Sequence, residues 1–251
     1  MTTQEFSNAF DTLLASYSNK ASFGDEGAPT DLVFDEYEKS VLLTQAQDII
    51  VKQYFEDSNI NVGFDGNARR QIDFSSLIDT MDLYPFEFYD STRYVDDSYV
   101  YILPDNMLAI LNEKVTIVYD GANIASYVIK PINYRDYDRE MSKVWAQPLK
   151  KQAWRLISTN NIYPYGEKVE VIINDAAKAK LVDNSRLQYT IRYVKRPTPI
   201  VLADFSTSGL EIDGYNTERT SEVNPTLHID ILNKAVELAY ATRAGKSTSQ
   251  S

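Results

Sequence analysis

Carboxylates are the most plentiful reactive groups in this 251-residue chain, and several stand in pairs: Asp25-Glu26, Asp96-Asp97, Asp136/Asp138/Glu140 and Glu211/Asp213. Two carboxyl groups held at a fixed separation suffice to hydrolyse a glycosidic bond. A chain with 36 Asp and Glu also produces such pairs by chance, so surface charge is the first expectation. Ala244-Gly-Lys-Ser-Thr resembles the end of a phosphate-binding loop. Tyr240 stands where that loop needs its first glycine, and a helix precedes it where the motif needs a strand. Asp204, Ser206, Ser208 and Gly209 sit at calcium-loop positions 1, 3, 5 and 6, but Tyr215 replaces the bidentate Glu at position 12. The loop therefore reads as a polar turn.

The inventory narrows further. There is no cysteine, which excludes disulfides, thiolate metal sites and Cys nucleophiles, and His228 is the single histidine. A multi-His zinc centre cannot be built. His228 lies four residues after a helix-capping Asn224, where it is either a pH-sensitive interface contact or a first-turn residue bonded to a neighbour. No cofactor is expected. Lys143, Trp145, Lys150, Lys151, Trp154 and Arg155 interleave bases with aromatics, the composition of a nucleic-acid groove. With Pro148 in its middle, the stretch better suits an arm that clasps an adjacent subunit through Trp145, Pro148, Trp154 and Arg155.

The elements that must position these groups follow from periodicity. Phe6, Phe10, Leu13, Leu14 and Tyr17 share one face of a helix over 3–18. A polar linker with Gly and Pro (18–31) follows, expected to be mobile. Asp35 and Glu38 stand at capping-box spacing before a second helix, with Tyr37, Val41, Ala46, Ile49, Val51, Tyr54 and Phe55 as its stripe and an end near Glu56. From 71 to 132 the period changes to two. Strand-like runs at 68–78, 91–104, 107–120 and 123–132 are separated by Pro85, Pro104 and Asp120-Gly121, the last a candidate tight turn between paired strands. Residues 135–140 suggest a short solvated helix, and 143–154 an extended stretch. Strands return at 160–174 and 186–195, and SGLEIDGY (208–215) carries turn residues around a short apolar run. Asn224-Pro225 opens a closing helix to about Arg243, with Leu227, Ile231, Ala235, Leu238 and Ala239 on its apolar face.

The expected class is α+β: N-terminal helices and a C-terminal helix packed together, an antiparallel β-rich middle, and extended arms. The expected segments are 1–66 (helical), 67–222 (β-rich, with an arm at 133–156), 223–244 (closing helix) and 245–251 (disordered tail). No N-terminal signal pattern and no apolar run of about 18 residues is present, so a protein made in the cytosol and independent of membranes is expected. The 18 tyrosines suit strands and wet subunit interfaces equally. Charge is uneven: residues 1–106 hold 20 acids and 6 bases, residues 107–251 hold 16 and 19. The acidic part would repel a phosphate backbone.

Three blocks carry a family resemblance: DEYEKSVLLTQAQDIIVKQYF (35–55), PINYRDYDREMSKVWAQPLKKQAWRL (131–156), and YVKRPTPIVL (193–202) together with EVNPTLHIDILNKAVELA (222–239). In these the chain resembles virion structural proteins of crAss-like tailed bacteriophages. Ala146-Gln147 departs from an Asn-Pro-Phe-like turn, and Ser221 stands where the family often has Cys. The resemblance implies a non-enzymatic head–tail connector: a ring or adaptor, usually dodecameric, at the portal vertex of the virion. Its implied partners are copies of itself, the portal protein and other tail ring proteins, with DNA passing through unbound. Within that reading Tyr193, Arg196 and Pro197 are expected to form a rigid edge. The alternative from another class is a tail component that binds or hydrolyses glycans with paired carboxylates.

Overall fold

A computed structural model describes residues 1–21, 33–56, 74–86, 95, 98–143, 148–158, 166–181 and 185–247. The elements are α1 (Thr3–Ala21), α2 (Glu36–Glu56), β1 (Ile78–Leu83), β2 (Tyr99–Ile102), β3 (Met107–Tyr119), β4 (Ala122–Pro131), α3 (Tyr134–Met141), β5 (Gln152–Ser158), β6 (Lys168–Ile173), α4 (Asp175–Lys178), β7 (Arg186–Lys195) and α5 (His228–Ser247). The expected α+β class holds, with terminal helices and a mostly antiparallel middle. The chain divides into two compact units, a helical one of Met1–Leu77 with Arg196–Ser251 and a sheet one of Ile78–Lys195.

In the helical unit both N-terminal helices open with reciprocal caps. Glu38 N donates to Asp35 Oδ1 (2.7 Å) and Asp35 N to Glu38 Oε2 (3.3 Å), as the spacing predicts. Thr2 and Glu5 make the same exchange ahead of α1, at 3.2 and 2.9 Å. Phe6, Phe10 and Leu14 of α1 are buried, whereas Tyr17 is exposed. The side chains of Tyr54 and Phe55 lie outside the described residues. Asn224 accepts from Thr226 N (3.0 Å) and starts a 3-10 turn, Pro225–Leu227, that runs into α5. Ile231, Leu232, Ala235, Val236 and Ala239 then bury one face of α5, which packs on both α1 and α2.

The extended passage after Arg196 is held by α2 side chains. Pro197 and Pro199 have no N–H to give a ladder, so it cannot be an ordinary interior strand. Ser40, Thr44 and Gln47, all buried on α2, supply the partners instead. Leu202 N donates to Ser40 Oγ (2.9 Å), Ile200 N to Thr44 Oγ1 (3.1 Å), and Gln47 Nε2 to the Thr198 carbonyl (2.8 Å). Ser221 Oγ closes the set on Gln47 Oε1 (2.6 Å). Beyond it the chain folds back through an Ile212–Tyr215 bridge around Asp213 and Gly214, both at positive φ. Phe205 and Ile212 pack there with Tyr37 and Val41 of α2.

The sheet unit has the strand order β1-β7-β3-β4-β5-β6-β2, antiparallel throughout except for the parallel β4–β5 pair. Asp120 and Gly121, at φ 48° and 74°, make the tight β3–β4 turn that their types predict. The sheet curls until its ends approach. Phe86 N, just past β1, donates to the Val100 carbonyl of β2 (2.8 Å), and Tyr101 OH of β2 donates to the Leu187 carbonyl of β7 (3.3 Å). Inside the curl Tyr101, Val115, Tyr127, Ile129, Val171, Ile173, Leu187 and Tyr189 form a continuous core. On the outer face α3 covers β5 and β6: Tyr137 meets Trp154 edge-on at 6.4 Å, and Tyr134 OH donates to the buried Glu170 (2.5 Å). Glu170 also accepts from Val95 N (2.7 Å) and Ser98 Oγ (3.2 Å).

Three local readings differ from the structure. Of the strand expected at 68–78, residues 68–73 lie outside the described residues, Ser75–Leu77 is a 3-10 turn, and β1 begins at Ile78. The turn is closed by Leu77 N donating to the Phe74 carbonyl (2.9 Å), and Ser76 Oγ donates to the carbonyl of Glu222, far along the chain (2.6 Å). The extended run before Trp154 ends in an interior strand, β5. Asn174 caps a one-turn helix, α4, that periodicity is too short to reveal.

Replacing Thr44 by Val keeps the shape of α2 but strands the Ile200 N–H, so unfolding in urea should show a loss of about 1–3 kcal/mol. A loss below about 0.5 kcal/mol would contradict the anchoring role of the α2 stripe.

Candidate functional site

The residues expected to form an interface fall in both units: Pro148, Trp154, Arg155 and Tyr193 in the sheet unit, Arg196, Pro197 and His228 in the helical one. Trp145 lies outside the described residues. Pro148 is buried, and its carbonyl accepts from Asn174 Nδ2 (3.2 Å), which ties the turn before β5 to the start of α4. Trp154, 5% exposed, packs with Leu156, Ile172 and Tyr137 under α3. Tyr193 of β7 is 2% exposed and part of the sheet core. Pro197 is buried and Arg196 exposed at the start of the passage on α2.

Arg155 points to the inner side of the sheet. Its Nε and Nη2 grip the two Glu113 oxygens at 3.1 and 3.2 Å, with both side chains only about a tenth exposed (11% and 10%). Tyr189 OH donates to the same carboxylate, and its ring lies 5.1 Å from that of Tyr101. Burial, with the Glu113 carboxylate alongside, pushes the Tyr189 hydroxyl pKa far up. The guanidinium is thereby committed within its own sheet. Sequence reading missed the acid because Glu113 stands in an alternating strand, far from Arg155 along the chain.

His228 is 3% exposed, wedged beside the Phe6 ring at 5.0 Å. One ring nitrogen meets the Val223 carbonyl at 3.0 Å and the other the Met1 amine at 3.1 Å. These contacts make it a first-turn residue bonded within the chain. Burial depresses its pKa below the usual 6.5, aided by the positive amine and opposed by the Val223 carbonyl.

The catalytic candidates fare as follows. Asp25-Glu26 and Asp96-Asp97 lie outside the described residues. Asp136 and Glu140 on α3 are engaged by Arg139 (2.8 Å) and Lys143 (2.6 Å). Asp204 Oδ1 accepts from Ser206 N (2.9 Å), the bond of a local turn. Gly245 to Ser247 continue α5 as helix. Among the described residues no group of three His, Asp or Glu side chains is placed to hold a metal ion, and no helix is long and apolar enough to cross a membrane. An open cleft of about 450 Å³ in the helical unit is lined by Thr3, Thr198, Glu218, Arg219, Thr220 and Glu222.

Two measurements probe these assignments. Arg155→Met leaves a buried carboxylate without its countercharge and should cost about 3–5 kcal/mol in urea, while Arg155→Met with Glu113→Met should recover most of it. Equal losses in both variants would show that packing, not the ion pair, sets the cost. For His228 the folded state binds the proton less readily than the unfolded chain. Its contribution is therefore complete above pH 6.5 and is lost as pH falls from there towards the depressed folded value. His228→Gln should flatten that acid-side slope of melting temperature, and an unchanged slope would assign it to other groups.

Packed core, caps and intrachain ion pairs account for the candidate groups among the described residues, and one family matches the chain along its whole length. The model for phage tail ring protein 3/4 covers residues 1–251. Ring protein 4/5 of Bacteroides phage crAss001 is 38% identical over 98% of this chain and 94% of its own length. Ring protein 3 of the same phage is 28% identical over 97% of this chain and 96% of its own. With both units included in that match, the chain belongs to the phage tail ring protein 3/4 family.

Proposed function

We propose that this protein is a non-enzymatic virion component that assembles into a ring at the portal vertex, joins the portal to the tail, and continues the DNA channel. The observation that carries the reading is the end-to-end match to proteins named for rings, with 38% identity to one of them. Charge supports the channel role. Residues 1–106, with 20 acids against 6 bases, would let DNA slide past, since acidic walls remove the counterion release that holds DNA to basic surfaces. The proposed partners are further copies of the chain, the portal protein and neighbouring tail rings, and a dodecamer is the proposed stoichiometry. Of the interface candidates, Arg196 has its side chain exposed beside the rigid Pro197, and Trp145 remains a proposed arm contact.

Light scattering across a concentration series, with and without purified portal protein, tests this directly. A discrete oligomer, or a monomer that assembles only on portal, is expected. A monomer indifferent to concentration and to portal would overturn the reading.

A further inference from the structure

A closed ring of identical subunits needs two unlike patches that fit each other, placed on different sides of one subunit. The sheet unit offers such a pair. The first is the outer edge of β1, whose residues 78–83 pair with β7 alone among the described residues, while Phe86 just beyond them meets Val100 of β2. Asp79, Thr80, Met81 and Asp82 are all exposed, although one face of a strand in a curled sheet should be covered. The edge is acidic with an apolar centre, Met81, 39% exposed. A strand edge with exposed residues and, among the described residues, no ladder partner on its outer side is a template for contact with another chain.

The second patch lies on the β4–β5 wall. Val128 and Leu149 are 68% and 69% exposed, among the most open large apolar side chains of the described chain. They are held close together: Val128 N donates to the Lys151 carbonyl (3.1 Å), and Gln152 N to the Leu149 carbonyl (2.8 Å). Lys150 and Lys151 flank them, both exposed. Lys151 is kept at φ 74°, which fixes the turn that presents the pair. This patch is apolar and basic where the β1 edge is apolar and acidic.

Topology places the two patches on opposite sides of the unit. From β1 the order β7, β3, β4 reaches β4 in three steps; across the closure, β2, β6, β5 reaches β5 in three. The β4–β5 wall is therefore half way round the curled sheet. Register puts them at one level, because Asp82, Thr190, Lys114, Val128 and Gln152 form a single cross-strand row. We infer that the β1 edge of one copy (Asp79, Met81, Asp82) docks on the β4–β5 wall of the next (Val128, Leu149, Lys150, Lys151), a head-to-tail contact that repeats around the ring. The inference rests on the ring reading above and specifies its lateral interface.

The chain has no native cysteine, so Met81→Cys with Leu149→Cys introduces a unique pair, separated within one copy by the strands between β1 and the β4–β5 wall. Oxidation should be carried out in whichever condition assembles the wild type. It should give a ladder of linked multimers ending at the oligomer mass found by light scattering, with neither single variant passing dimer. Separately, Asp79→Lys/Asp82→Lys and Lys150→Glu/Lys151→Glu should each weaken assembly by about tenfold or more, and the combined swap should restore it to within about threefold. If the wild type assembles but no ladder forms and the reversals change nothing, this interface is wrong and the ring reading stands. If the wild type assembles in no condition, both fail.

Discussion

The helical unit depends on three polar side chains facing inward from α2. Ser40, Thr44 and Gln47 hold one side of the passage 197–202, whose Pro197 and Pro199 bar it from an ordinary ladder and which otherwise bridges only at Val201 to Arg219 among the described residues. A buried backbone group without a partner costs more than a typical hydrogen bond contributes, so these contacts fix where the passage can lie. Once it is placed, Val201 and Phe205 are positioned against Tyr37 and Val41, and Ser221 returns to Gln47. Lys39, one residue before this stripe, joins α2 to α1 through Ser7 and Asp11. Its salt bridges to Asp11 and Glu36 outweigh burial and raise its pKa, so it stays charged in a nearly closed site.

The sheet unit solves a related problem differently. Its interior is lined by tyrosines and β-branched residues, but it also holds the Glu113–Arg155 pair. The pair survives because the guanidinium fork matches the carboxylate and Tyr189 satisfies a remaining lone pair. On the outer face Glu170 plays a comparable part, gathering a strand, a loop and a helix on one carboxylate.

What could be read from the chain beforehand was local. Asp35 with Glu38, Asp120-Gly121 and Asn224-Pro225 each determine a cap or turn by their own chemistry, and each stands where that chemistry puts it. What stayed hidden was long-range. Ser40, Thr44 and Gln47 look like a solvated helix face until the passage they bind is known. Trp154 and Arg155 look like an exposed arm because their composition suits one. Their partners, Tyr137 on a separate helix and Glu113 two strands earlier in the chain, are not adjacent in sequence. A contact surface is hard to read for the same reason: it is defined by which row and which edge a residue occupies, and register is a property of the whole sheet.

The sheet unit is inserted into the helical one, between Leu77 and Arg196. During synthesis α1 and α2 therefore emerge with Ser40, Thr44 and Gln47 lacking the backbone groups they are shaped to hold. The sheet is complete in sequence once Lys195 has been made, whereas the helical unit must wait for residues 196–239. Domains fold as their last segment becomes available. The sheet unit can thus be finished, with its edge and wall already formed, while the helices that flank it in sequence are still waiting to close.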